Sequence, residues 1–165
     1  MYYLEYILCN NFIYTSNIDG FLGGITLTSL LMKITGTFKR DVDELQNIFD
    51  FLKKNWAGYE VNENDQRKIE LSVEEIFMNM VRHNPNAEFD IKLIVEKKNR
   101  KIILSLSDFE EKPFDITQAR DVNFEEYFRQ KKSGGLGIHL VKEIMDDIKF
   151  VHRNGISTIT ITKLI

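Results

Sequence analysis

The sequence is poor in cysteine, since Cys9 is the only one among 165 residues. A single cysteine excludes an internal disulfide and any metal site built from a cysteine cluster. This usage suits a reducing compartment, and we expect a cytoplasmic location. The sequence also lacks an excess of positive charge, because 22 Lys and Arg residues stand against 25 Asp and Glu residues. A general nucleic-acid binder needs a basic face for phosphate contacts, so the composition argues against that class.

Basic residues are absent from residues 1–32. A secretory signal peptide starts with a positive segment, whereas this one carries Glu5. The longest weakly polar run, residues 21–32, falls short of the roughly 20 residues that span a bilayer. Two interpretations remain open: an extension that pairs with the domain or a partner, or read-through upstream of a natural start at Met32. We therefore divide the chain into this extension and one domain, residues 33–165.

The rest of the chain alternates between strand-like and helix-like segments. Asp41 is a predicted N-cap, Pro85 ends the longest helix, and Asn154-Gly155 predicts a tight hairpin turn. The elements predict an α+β protein whose helices cover one face of a mixed, mostly antiparallel sheet. We predict strands at 33–38, 148–152 and 157–164, a hairpin over 88–108 turning around 98–99, and helices at 41–52, 61–84, near 124–128, and from the glycine-rich stretch to about 147.

The longest predicted helix carries a polar stripe between two apolar zones. Glu75, Asn79 and His83 follow one another every four residues, so they lie along one line of the helix surface, and Ser72 extends it. A purely solvated face would be richer in Lys and Glu. The plainer alternative is that Asn79 and His83 only bond backbone at the helix–loop junction. The arc expected to pack on the sheet consists of Ile69, Val73, Ile76, Phe77 and Met80.

A carboxylate one turn before an amide suits phosphoryl transfer. The Asn79 side-chain oxygen is a neutral hard ligand for a Mg²⁺ ion that bridges phosphates. Glu75 could accept the proton of an attacking hydroxyl or orient a water. Asp108 ends an apolar strand, where a carboxylate can receive a hydrogen bond from the exocyclic amine of a base. An ordinary strand-ending aspartate is the alternative for Asp108.

The stretch KKSGGLGIHLVKEIMDD places three of the nine glycines, Gly134, Gly135 and Gly137, directly before a helical pattern. Only Gly58 interrupts the long interval between residues 37 and 133. Backbone amides at a helix N-terminus, with no side chains in the way, form an anion site. Taken alone, such a stretch is more often a flexible loop.

Together these segments resemble the GHKL, or histidine kinase-like, ATP-binding fold, and within it the bacterial anti-sigma-factor serine/threonine kinases. The resemblance covers about residues 33–165 and implies a two-layer α/β sandwich. ELSVEEIFMNMVRH is similar to the family's N box, with Glu75 and Asn79 as its Glu-x-x-x-Asn pair. SDFEEKPFD is similar to the first glycine box, with Asp108 as the adenine-binding aspartate. SGGLGIHLVKEIMDDIKF is similar to the second, and the three boxes agree in order and spacing.

The resemblance implies ATP and Mg²⁺ as cofactors and Glu75 as the catalytic residue, with Asn79 as the metal ligand. It implies phosphorylation of a small STAS-type antagonist, binding of a sigma factor, and homodimerisation. Lys131, Lys132 and Ser133 are expected on a lid that contacts the terminal phosphate, the plainer alternative being that the two lysines are only solvated. The residues implied in nucleotide binding are Asn79, Asp108, Ser133, Gly134, Gly135 and Gly137.

One position departs from the family pattern. Glu110 stands where the first box usually has a glycine, which lets backbone approach the adenine. This departure favours an alternative function, a non-catalytic or weakly nucleotide-binding partner-switching module. A third possibility is an ATPase regulator without a protein substrate, in which Glu75 activates water. Sensor histidine kinases are not indicated, because no histidine precedes the long helix.

Overall fold

The computed structural model of the protein describes residues 32–84, 87–109, 115 and 136–165. The predicted helix near 124–128 and residues 1–31 of the predicted extension lie outside the described residues. The strands are β1 (Met32–Phe38), β2 (Ile91–Lys98), β3 (Lys101–Phe109), β4 (Asp147–Arg153) and β5 (Ile156–Leu164), and the helices are α1 (Leu45–Tyr59), α2 (Glu63–His83) and α3 (Leu136–Ile144), with a 3-10 turn at Val42–Glu44 before α1.

The five strands form one sheet in the order β1-β2-β3-β5-β4, and every described pair is antiparallel. β1 and β3 both run antiparallel to β2, so their C-terminal ends reach the same edge of the sheet. Asn154 and Gly155 adopt φ angles of 53° and 76°, which close the predicted tight turn between β4 and β5. The predicted α+β class with a largely antiparallel sheet is confirmed.

One face of the sheet packs against the helices. Alternate residues of β3 are at most 1% exposed at Ile102, Leu104 and Leu106, as the two-residue period of a strand requires. The predicted apolar arc of α2 meets this face, while Leu71 on the same helix is 36% exposed. The arc residues, all at most 4% exposed, are Ile69, Val73, Ile76, Phe77 and Met80.

Helix α1 continues to Tyr59, beyond the predicted end at residue 52. The reason is that its last turns are buried as well. The Trp56 indole N–H donates to Glu70 at 3.0 Å, and the Tyr59 hydroxyl donates to the Val95 carbonyl at 3.2 Å. The β2–β3 turn falls at residues 99–100, one position later than predicted.

Helix α3 is shorter than predicted and ends at Ile144. The Asp146 carboxylate accepts hydrogen bonds from the Leu164 backbone N–H at 2.7 Å and from the Lys163 ammonium at 2.9 Å. These bonds hold the pKa of the Asp146 carboxyl below its ordinary value, and the bond from Leu164 has the largest effect. They bind the residue before β4 to β5, so the chain leaves the helical conformation and continues as β4.

Replacing Phe77 by Ala should lower the free energy of unfolding by about 3–5 kcal/mol, because the removed ring is fully buried between α2 and the sheet. Leu71→Ala on the exposed side of the same helix should cost less than about 1 kcal/mol. Urea titration followed by circular dichroism measures both. Equal losses for the two variants would contradict this packing of α2.

Candidate functional site

Helix α2 presents Glu75 and Asn79 one turn apart, and both side chains are half-buried. The Asn79 side-chain nitrogen donates to the Glu75 backbone carbonyl at 2.7 Å. That bond fixes the amide and leaves its Oδ1 oxygen as the atom suited to bind a cation. The two ends of the predicted stripe behave differently. Ser72 is fully buried and donates to the Lys68 carbonyl at 2.8 Å, whereas His83 is exposed.

Gly137 lies directly against the Glu75 side chain. A Cβ atom added at Gly137 would overlap the Glu75 carboxylate, so no larger residue fits there without a shift. Gly137 is the second residue of α3, and the contact therefore sets a carboxylate against the N-terminal turn of that helix. Negative charge at this end of a helix is favourable, because the unpaired backbone N–H groups there carry partial positive charge.

Asp108 lies near the end of β3 and is 2% exposed. Its Oδ1 oxygen accepts a hydrogen bond from the guanidinium of Arg40, in a buried ion pair. A second guanidinium nitrogen of Arg40 donates to the Met80 backbone carbonyl at 2.7 Å. The Asp108 Oδ2 oxygen is buried and has no hydrogen-bond partner among the described residues.

Arg40 was not singled out by the sequence analysis. It is the second residue after β1, and β1 and β3 end at the same edge of the sheet. The sequence signal available was a pair of basic residues, Lys39 and Arg40, between an apolar strand and the Asp41 cap. That signal identifies Arg40 only once the strand order is known.

The described site residues form one connected group around α2. Gly137 contacts Glu75 on one side of the helix, and Asn79 lies one turn further on. The helix then continues to the carbonyl that holds Arg40. Ser133, Gly134, Gly135 and Glu110 lie outside the described residues. The group, in order of contact, is Gly137, Glu75, Asn79, Met80, Arg40 and Asp108.

Among residues 32–84, 87–109, 115 and 136–165, no three His, Cys, Asp or Glu side chains lie together as a metal site would require. No helix in these same ranges is long and apolar enough to cross a membrane.

Comparison with known proteins identifies the family. Residues 38–163 match the family described as histidine kinase-like ATPase domain. The fold is similar to that of a chain in the SiaB–SiaC complex from Pseudomonas aeruginosa, with a TM-score of 0.52, 12% identity, and coverage of 79% of this chain and 88% of that chain. A search of curated proteins found no match. The match over most of the chain shows that this protein belongs to the histidine kinase-like ATPase family.

Proposed function

We propose that this protein is an ATP-dependent regulatory serine/threonine kinase that phosphorylates a small STAS-type antagonist and binds a sigma factor. The contact between Glu75 and Gly137 carries the proposal. It sets a carboxylate beside the helix turn that contains Gly137 and follows the predicted phosphate-binding Gly134 and Gly135. The neutral amide of Asn79 stands one turn away, as phosphoryl transfer requires of a metal ligand near a base.

The adenine end of the site is supported by Asp108. A buried carboxylate oxygen without a partner is costly, and a ligand that donates a hydrogen bond would remove that cost. The exocyclic amine of adenine is such a donor. ATP therefore fits the residues present, with its base at Asp108.

The phosphate end is supported by the bare backbone of Gly137 and by Asn79. The Asn79 Oδ1 oxygen is suited to a Mg²⁺ ion that keeps most of its waters. Ser133, Gly134 and Gly135 would complete the phosphate contacts before α3. When bound, Mg-ATP supplies the terminal phosphoryl group and spreads its charge over the metal.

In this proposal Glu75 acts as the general base. It accepts the proton of the Ser or Thr hydroxyl whose oxygen bonds to the terminal phosphorus, while the bond from that phosphorus to the leaving ADP oxygen breaks. Asn79 would hold the metal ion, and Asp108 would hold the adenine ring. A similar fold occurs in the SiaB–SiaC complex, which supports a protein as the partner. The proposed homodimer rests on the family resemblance alone.

A second function is favoured by Glu110 and by the burial of Asp108. If Asp108 rarely becomes accessible to a nucleobase, the protein would serve as a partner-switching module that binds nucleotide weakly. Incubation with γ-labelled ATP and a STAS protein encoded by a neighbouring gene separates the functions. A stable complex without label on the STAS protein would select the module, and steady phosphate release without an acceptor would select an ATPase.

Mg-ATP at about 100 times its dissociation constant should raise the free energy of unfolding by about 2.7 kcal/mol, because the nucleotide binds only the folded chain. Asn79→Ala should remove most of this gain by removing the metal ligand. Asn47→Ala is the matched control, since the exposed amide of Asn47 in α1 donates to the Glu44 carboxylate in the 3-10 turn before that helix. Thermal and urea unfolding with and without nucleotide measure the effect. A wild-type protein that no adenine nucleotide stabilises would contradict the kinase proposal.

Glu75→Gln should retain nucleotide binding and slow phosphate transfer by roughly 10²–10⁴-fold, because the amide cannot accept the proton. Glu74→Gln, the neighbouring carboxylate on the same helix, should transfer at the wild-type rate. Label transferred to the STAS protein over time gives both rates. An undiminished rate in Glu75→Gln would show that Glu75 is not the base.

Gly137→Ala should lower the free energy of unfolding by about 1–3 kcal/mol, because the new methyl group meets the Glu75 carboxylate. In a Glu75→Ala background the same change should cost much less, since the overlapping atoms are gone. Gly58→Ala is the control, because among the described residues its added carbon meets only the flexible end of Met32, at 3.1 Å. Urea titration of all four variants tests the contact, and an equal Gly137→Ala cost in both backgrounds would contradict it.

A further inference from the structure

The ion pair between Arg40 and Asp108 lies at the end of the proposed site that would bind the nucleobase. The Arg40 side chain is 4% exposed and that of Asp108 is fully buried. Desolvating two charges is expensive, and apolar residues of similar volume often stabilise a core as well or better. The pair therefore calls for an explanation other than stability.

We propose that Arg40 is a positioning residue that fixes which oxygen of Asp108 meets the nucleobase. The inference rests on the proposed function, namely a nucleotide whose base lies at Asp108. Arg40 itself need not touch the nucleotide. It acts by holding the carboxylate in one orientation.

The contacts of Arg40 support a fixed orientation. The guanidinium is a rigid, planar group. Among its contacts are two on different elements, the Met80 carbonyl in α2 and the Oδ1 oxygen of Asp108 in β3. A group fixed at one end by helix backbone cannot follow a rotation of the carboxylate. The Asp108 side chain is thereby locked with Oδ1 bonded to Arg40, while Oδ2 is bonded to none of the described residues.

A single uncommitted oxygen has a consequence for base selection. The adenine amine needs one acceptor, and Oδ2 supplies it. The N1–H and N2–H groups of guanine form a pair of parallel donors, which a carboxylate satisfies only by offering both oxygens. Because Arg40 holds Oδ1, Asp108 offers one acceptor, so it should favour adenine over guanine.

Asparagine at position 108 makes the role of Arg40 measurable. A guanidinium only donates hydrogen bonds, so it should hold the amide oxygen and leave the amide nitrogen in the place of Oδ2. A donor there opposes the adenine amine and suits the O6 carbonyl of hypoxanthine. Wild type should therefore prefer ATP over inosine triphosphate, and Asp108→Asn should prefer inosine triphosphate, by about tenfold or more in each direction.

Removing Arg40 from the Asp108→Asn protein should abolish this preference. In the double variant Asp108→Asn with Arg40→Met, the amide is free to turn, so the two nucleotides should bind with affinities within about threefold of each other. The double variant also avoids an unpaired buried charge, which would endanger folding in Arg40→Met alone. Asp108→Asn with Arg67→Met is the matched control, because Arg67 is a 68% exposed arginine on α2. It should retain the preference for inosine triphosphate.

Calorimetric titration of each folded variant with both nucleotides decides the matter. The inference is supported if Asp108→Asn prefers inosine triphosphate, if adding Arg40→Met abolishes this preference, and if adding Arg67→Met does not. The inference is overturned if Asp108→Asn shows the same preference with and without Arg40→Met while wild type binds ATP. That result would not contradict the proposed function. Tighter ATP binding by Arg40→Lys than by wild type would also overturn the inference, since Arg40 would then compete with the base for Asp108. If wild type bound neither nucleotide, the inference and the proposed function would both fall.

Discussion

The packing of α2 on the antiparallel sheet is the interaction on which the site depends. Five apolar side chains of this helix are almost completely excluded from water, which fixes both its position and its rotation about its own axis. Once the rotation is fixed, Glu75 and Asn79 can face only one side. The Met80 carbonyl near the end of the helix is fixed by the same packing, and so is the guanidinium that it holds.

A second constraint is polar and joins three elements. Arg40 follows β1, Asp108 belongs to β3, and the carbonyl of Met80 belongs to α2. Hydrophobic packing alone tolerates small slips of a helix along a sheet, whereas a buried charge cannot lose its partner without a large cost. The ion pair therefore fixes the C-terminal end of α2 relative to the sheet edge where Asp108 lies.

Local patterns predicted most of the elements, and long-range polar contacts escaped prediction. The 3.6-residue period of apolar side chains predicted the buried arc of α2, and the Asn154-Gly155 pair predicted the turn between β4 and β5. Each of these signals is contained in a few neighbouring residues. Arg40 was missed because its partner is 68 positions away and no periodicity links the two. The extension of α1 was missed for a similar reason, since its last turns are stabilised by a bond to β2. Ser72 was placed on the polar stripe by its chemistry, although bonding to backbone lets it face the core.

The charges around Glu75 explain why its neighbour in the stripe is an amide. Glu75 lies against the first turn of α3, where partial positive charge from the helix offsets one negative group. Phosphates bound before the same turn would add several negative charges to it. A second carboxylate at position 79 would increase that repulsion, while the amide oxygen of Asn79 offers a ligand without adding charge. The combination of one acid and one amide therefore suits the proposed site, in which a general base, a metal and a polyphosphate would lie together.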